Sequence, residues 1–158
     1  MENTPQGAAN FTLKTVPDLL PKLTEATKPK WGIMTPQHML EHLGNTLIIV
    51  STKKEIPVVT PPERLPAYKE FLMSDQPFTH NIPNKFIGDG LPPLRFENLE
   101  TAKTKLLAAI ESFHNFFARN PEATPVHPFF GPLNYQEWQQ FQKKHFIHHF
   151  SQFGLLEA

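Results

Sequence analysis

Four stretches of the chain repeat apolar residues at the spacing of a helix, and proline breaks the segments between them. In the first, Leu13 to Thr27, the pattern runs through Val16, Leu19, Leu20 and Leu23; Pro17 and Pro21 mark a late start or a bend. The second opens at Thr35-Pro36. A threonine hydroxyl can accept a hydrogen bond from an unpaired first-turn amide, and proline is tolerated there because that amide needs no partner in the helix. This helix is expected from Pro36 to about Thr52, with Met39, Leu40, Leu43, Leu47 and Val50 as its apolar stripe and His42 at the stripe's edge. The third is expected from about Asn98 to Arg119, burying Leu99, Ala102, Leu106, Ala109, Ile110, Phe113 and Phe117, and it stops at Asn120-Pro121. The fourth starts on a capping box, Asn134 to Glu137, runs to Phe153 and ends on Gly154.

The remaining segments show no such period. Residues 1–12 are polar and are expected to be a flexible N-terminus, leaving 13–158 as a single domain. Residues 55–97 are the least regular part: Pro57, Pro61, Pro62 and Pro66 precede a short helix expected over Ala67 to Met73, and Pro77, Pro83, Gly88, Gly90, Pro92 and Pro93 follow. An aperiodic stretch of this length either folds over a binding site or simply connects two helices. No strand pattern stands out, so the expected fold is all-α, a bundle of four helices.

Composition narrows the function. A chain of 158 residues is long enough to bury a core as one domain. Lys plus Arg and Asp plus Glu are equal at 15 each, and no basic stripe stands out, which argues against a nucleic-acid partner. The longest aliphatic run, Leu47 to Val50, is far short of a membrane span, and Met1 to Phe11 lacks the basic and apolar regions of a secretory leader. A cytoplasmic location is the default expectation. Cysteine is absent, which removes disulfides, thiolate ligands and a thiolate nucleophile, so a thiol used in any reaction must arrive as a co-substrate. Phenylalanine, with 14 copies against 2 tyrosines, predicts aromatic cores, and 17 prolines predict stiff loops.

The chemistry gathers in the fourth helix, at Lys144-His145-Phe146-Ile147-His148-His149-Phe150-Ser151-Gln152. Residues four apart share a helix face, so His145 and His149 aim at one point. At ~100° per residue they fall in the sector of Trp138, toward the core, and His148 projects one wide step away. Buried imidazoles need partners. Two on one face are either a hydrogen-bonded core pair or half of a metal site, and a third ligand would come from another helix. His42 is placed to supply it. His38-Met39-Leu40-Glu41-His42 also matches the H-x-x-E-H pattern of inverted zinc proteases, although a match of this length arises by chance, and Glu41 reads as a solvated helix residue. His80, His114 and His127 read as partly exposed surface or hinge histidines, with His114 also near enough to Phe113 and Phe117 to support a site.

His42 in Met39-Leu40-Glu41-His42-Leu43, together with His145-x-x-His148-His149-x-x-Gln152, resembles the DinB-like (YfiT-like) superfamily; Trp31-Gly32-Ile33-Met34-Thr35-Pro36 and His127-Pro128-Phe129-Phe130-Gly131-Pro132-Leu133 are similar to one branch of it. The resemblance implies a four-helix bundle of up-down-down-up topology, with residues 53–97 as a long crossover between helices two and three. It implies a divalent metal, zinc or nickel, held by His42, His145 and His149. It further implies a metal-dependent enzyme acting on a small molecule, by thiol-dependent transfer or isomerisation with a low-molecular-weight thiol, or by hydrolysis. Phe146 and Phe150, and the proline-rich crossover, depart from the commonest pattern. On this reading His148 is the candidate for catalytic proton transfer, and Gln152 for orienting a ligand ring. A homodimer is compatible with exposed bundle faces. The competing reading is a non-catalytic helical interaction module whose histidines are structural.

Overall fold

A computed structural model describes residues 5–52, 55–79 and 90–156; His80, Pro83 and Gly88, named above, lie outside the described residues. The described chain is mostly helical. It begins with α1 (Pro5–Asn10), continues through a wide π turn at Phe11–Thr15 into α2 (Val16–Leu19), and tightens into a 3-10 turn at Leu20–Lys22. Pro17 and Pro21 each fall in the opening positions of a new turn, where proline's missing amide hydrogen matters least. Residues 5–12, expected as a flexible terminus, here form helix and the start of the π turn. Ala8, Phe11 and Thr12 are buried, and α1 packs against the last helix, so a few small and apolar residues suffice to dock a segment whose composition reads as polar.

The next helix, α3 (Pro36–Ile48), starts where Thr35 accepts a hydrogen bond from the His38 amide at 3.2 Å. It buries Met39, Leu40, Leu43 and Leu47 and runs on into a 3-10 turn, Ile49–Ser51. The short α4 (Leu65–Met73) follows, with Leu72 inward. In α5 (Leu99–Arg119), Asn98 caps the first turn by accepting from the Thr101 amide at 2.8 Å. The buried face of α5 carries the seven apolar residues that its period predicts, and it forms the most extensive helix contact, with α3.

Two strands interrupt the helices. β1 (Val126–His127) pairs antiparallel with β2 (Gly131–Pro132), Val126 opposite Pro132 and His127 opposite Gly131. Gly131 takes φ 76°, a conformation that side chains with a Cβ avoid. The chain is mostly helical, in keeping with the expected all-α class, and this small hairpin is the addition to it: strands of two residues are too short for alternation to register in a sequence.

The last helix, α6 (Tyr135–Gln152), has both bonds of its capping box at 2.9 Å. Its rings dominate the core. Trp138, Phe146 and Phe150 are fully buried with Phe113 and Phe117 of α5, and the pairs Phe113–Phe117 and Phe146–Phe150 meet edge-on at 5.4 and 5.5 Å. Removing each such side chain from water contributes about 1.5–3 kcal/mol. Unusually, α6 is covered on nearly every side, so Gln140, Gln142, Lys143, Lys144, His145, His149 and Gln152 are buried as well. Buried polar groups must find partners. Those partners position the site.

Candidate metal centre

Two clasps on the chain flank the histidines. Lys144, immediately before His145, donates to the Phe71 carbonyl at 2.7 Å and lies 3.9 Å from the centre of the Phe71 ring. With Gln140 donating to the Leu72 carbonyl at 3.1 Å, it closes the last turn of α4, where cations and donors match the unpaired carbonyls. Burial pushes the Lys144 ammonium down to about 8, partly opposed by the charge of Asp75. On α3, Glu41 immediately precedes His42. Its carboxylate accepts from the Arg95 amide at 2.8 Å, the Phe96 amide at 3.2 Å and the Gln37 side chain at 3.0 Å. Burial alone would raise its pKa, but these bonds and the Arg95 charge outweigh it and hold the carboxylate below its ordinary value. Glu41 is thus a buried latch, not the solvated residue its helix position suggests; its partners are main-chain amides, which leave no signature in a sequence.

Between the clasps, α3 and α6 bring His42, His145 and His149 together. Their ring centres are 4.8 Å apart (His42–His145), 4.9 Å (His42–His149) and 4.8 Å (His145–His149), each pair edge-on. The Nε2 atoms of His42 and His145 are 2.9 Å apart. Among the described residues, one candidate ligand atom from each of the three lies within 4.8 Å of the other two, and the group could hold a metal ion. In a tetrahedral zinc site, with nitrogens bonded at about 2.1 Å, the ligand atoms lie about 3.4 Å apart, so the more widely spaced donors need to draw in by at most about 1.4 Å and the His42–His145 pair needs to open by about half an ångström.

Electrostatics suit the same purpose. Burial pushes His42 down to about 4, with the neighbouring His148 adding to the effect. Burial takes His149 to about 3, reinforced by His42, opposed by its bond to Gln152, and reinforced again by His148. His145 is driven well below the ordinary imidazole value by burial first, then by His42, His149, His148 and His127. Near neutral pH all three rings are uncharged, which is the form that ligates metal.

One ring's tautomer follows directly. The Gln152 amide nitrogen donates to the Trp31 carbonyl at 2.9 Å, which can only accept, so the amide oxygen faces His149. That oxygen lies 2.7 Å from His149 Nδ1, which must therefore carry the hydrogen and leaves Nε2 with its lone pair. The expected orienting role of Gln152 thus has a geometric basis, and the same side chain ties the Trp31 loop to the end of α6.

The other histidines are placed as follows. His148 is half-buried at the rim, with ring centres 4.8 Å from His149, 5.6 Å from Trp31 and 6.1 Å from Phe78. His38 is outside the cluster: its Nε2 donates to the Pro92 carbonyl at 3.0 Å and its Nδ1 accepts from Thr35 at 2.6 Å. The H-x-x-E-H match therefore does not assemble, since both nitrogens of His38 and the Glu41 carboxylate are committed elsewhere. His114 bridges Thr12 at 2.9 Å and Tyr135 at 2.6 Å, joining the π turn, α5 and the start of α6. His127, read as a surface or hinge residue, is instead buried among Phe130, Trp138 and Phe141, where burial pushes it down to about 3; its Nδ1 accepts from the Phe129 amide at 3.0 Å.

Fold and site together define a mostly helical protein with a three-histidine cluster, two of its rings buried and one half-buried, that could hold a metal ion. Residues 76–154, half of the chain, match the DUF1569 family, described as proteins of unknown function, and the chain belongs to that family. The matched part contains α5, both strands and α6, and so carries His145 and His149, while His42 precedes it. No curated protein and no solved structure matches the chain. No described helix is long and apolar enough to cross a membrane.

Proposed function

We propose that this protein is a small metal-dependent enzyme of the DinB-like superfamily, built as a four-helix bundle of up-down-down-up topology. Its four long helical segments would be residues 5–22, α3, α5 and α6, with residues 53–97 as the crossover. The observation that carries the proposal is the meeting of three neutral imidazoles from two helices at one point. His42, His145 and His149 would hold a divalent ion, zinc or nickel by ligand chemistry. When bound, such an ion supplies a Lewis acid and lowers the pKa of a coordinated water or thiol.

The chain's own residues do the rest. Gln152 fixes the His149 ring. Trp31 meets His148 edge-on, Phe78 meets His145 and His148 edge-on, and Phe141 lies tilted against His145, so aromatic rings wall this side of the site. His148, half-buried at the rim, is placed to pass a proton between a small-molecule substrate and solvent. With no cysteine in the chain, a thiol enters as a low-molecular-weight co-substrate, for transfer or isomerisation; hydrolysis is the other reaction such a site supports.

A second reading rests on the 2.9 Å contact between His42 and His145, which lets a half-buried and a buried ring satisfy each other as part of a non-catalytic interaction module. Elemental analysis separates the two. After loading with zinc or nickel and desalting, the enzyme reading expects about one ion per chain, from a single three-histidine site. Protein that emerges metal-free from both loadings supports the interaction module.

A further inference from the structure

Thr46 lies one helical turn after His42, on the same side of α3, and its hydroxyl meets three groups from two helices. The Leu43 carbonyl is 2.8 Å away, the Gln142 side-chain oxygen 3.4 Å, and His145 Nδ1 3.3 Å. The Gln142 amide cannot be reversed, because its nitrogen donates to the Thr46 carbonyl at 2.9 Å. Two of the three neighbours of the hydroxyl are therefore carbonyl oxygens, which only accept. A hydroxyl has one hydrogen to give. It goes to a carbonyl, with Leu43 the nearer, and the remaining partner, His145 Nδ1, must donate to the hydroxyl oxygen. His145 then has Nδ1–H and a bare Nε2. That Nε2 is 2.9 Å from His42 Nε2, and two lone pairs do not face each other at this distance, so the hydrogen between them belongs to His42.

We propose that Thr46, held by Gln142, is a positioning residue that presets His145 as the Nδ1–H tautomer, as Gln152 does for His149, and leaves His42 as the one ring that must rearrange when a cation enters. The inference rests on the metal reading only in its last clause. For His42 to ligate through Nε2, the Nε2 hydrogen leaves to solvent and Nδ1 takes one up, so the ring stays neutral. Two ligands are ready-made and the third is adaptive. The ring of His42 is also the one supplied from outside the α6 scaffold.

Nitrogen-15 NMR of the metal-free protein reads each ring directly, because a protonated and a bare imidazole nitrogen differ widely in chemical shift. The expected pattern is Nδ1–H at His145 and His149 and Nε2–H at His42. Zinc should then invert His42 alone. A metal-free His145 with Nε2–H overturns the assignment, whether or not zinc binds. If the expected metal-free pattern appears but zinc leaves it unchanged, the assignment stands and the metal reading fails. Thr46→Val removes the acceptor. It should mix the His145 tautomers and weaken zinc binding by about tenfold or more, the usual cost of losing a partner that orients a ligand. Thr46→Ser, which keeps the hydroxyl, should restore both. Equal losses in the two variants would mean that packing, not the hydroxyl, is responsible.

Discussion

His127 is buried singly and finds its partner in a nearby main-chain amide, and His114 likewise bridges two hydroxyls. His145 and His149 are buried and His42 is half-buried, and the three rings edge against one another. The contrast separates two uses of a buried imidazole. A lone ring completed by local donors and acceptors is finished, and it serves as core. Three rings whose nitrogens face inward can share a hydrogen between two of them, whereas a cation satisfies all three at once. Burial depresses the basicity of both sets, so low basicity alone does not distinguish structure from chemistry. What distinguishes them is what the lone pairs face.

Alanine replacement breaks the comparison most sharply. His145→Ala or His149→Ala should weaken zinc binding by more than about 100-fold, since losing a mere orienting partner already costs 10–100-fold. His127→Ala should leave zinc affinity near that of the parent while lowering the melting temperature. Titration calorimetry and melting curves on the three variants check this; zinc loss in His127→Ala equal to that in His145→Ala would erase the distinction.

Acid should act next. His127 falls to about 3 in the folded chain, from about 6.5 in an unfolded one. The unfolded chain then binds a proton that the folded chain refuses, so stability is intact above about pH 6.5 and falls as pH drops toward 3. The slope is about 1.4 kcal/mol per pH unit for a single such histidine. Urea midpoints of the parent and of His127→Ala across pH 7 to 4 isolate this term from the other depressed histidines: the parent profile should be the steeper, and equal slopes would mean that His127 is protonated without cost.

The smallest effect concerns the latch beside His42. Glu41→Gln places an amide nitrogen against donors on Arg95, Phe96 or Gln37 and should cost about 1–3 kcal/mol of stability. Thermal denaturation detects a change of this size, and an unchanged midpoint would mean that Glu41 does not hold the 95–96 strand of chain in solution.

Much of this was legible in the sequence where one helix face is apolar and the other polar. The start of α3 at Thr35-Pro36, the whole buried face of α5 and the capping box of α6 are read from period and caps. The docked α1 was not, because Ala8 and Phe11 are too few to make a pattern. Nor were the buried states of Lys144 and Glu41, whose partners are backbone atoms brought near by the fold. Within the cluster, His145 and His149 follow from spacing four on one helix. Thr46 stands four after His42 and offered the same signal, but a threonine in a helix reads as ordinary surface until its neighbours are known. His127 was hidden by the hairpin that buries it.

The central claim is that three imidazoles meet at one cation. X-ray absorption at the zinc edge of the loaded protein tests it most directly. The account predicts scattering from three imidazole rings with ligand nitrogens at about 2.0–2.1 Å. A shell of oxygen atoms alone, or with fewer than three imidazoles, would contradict it.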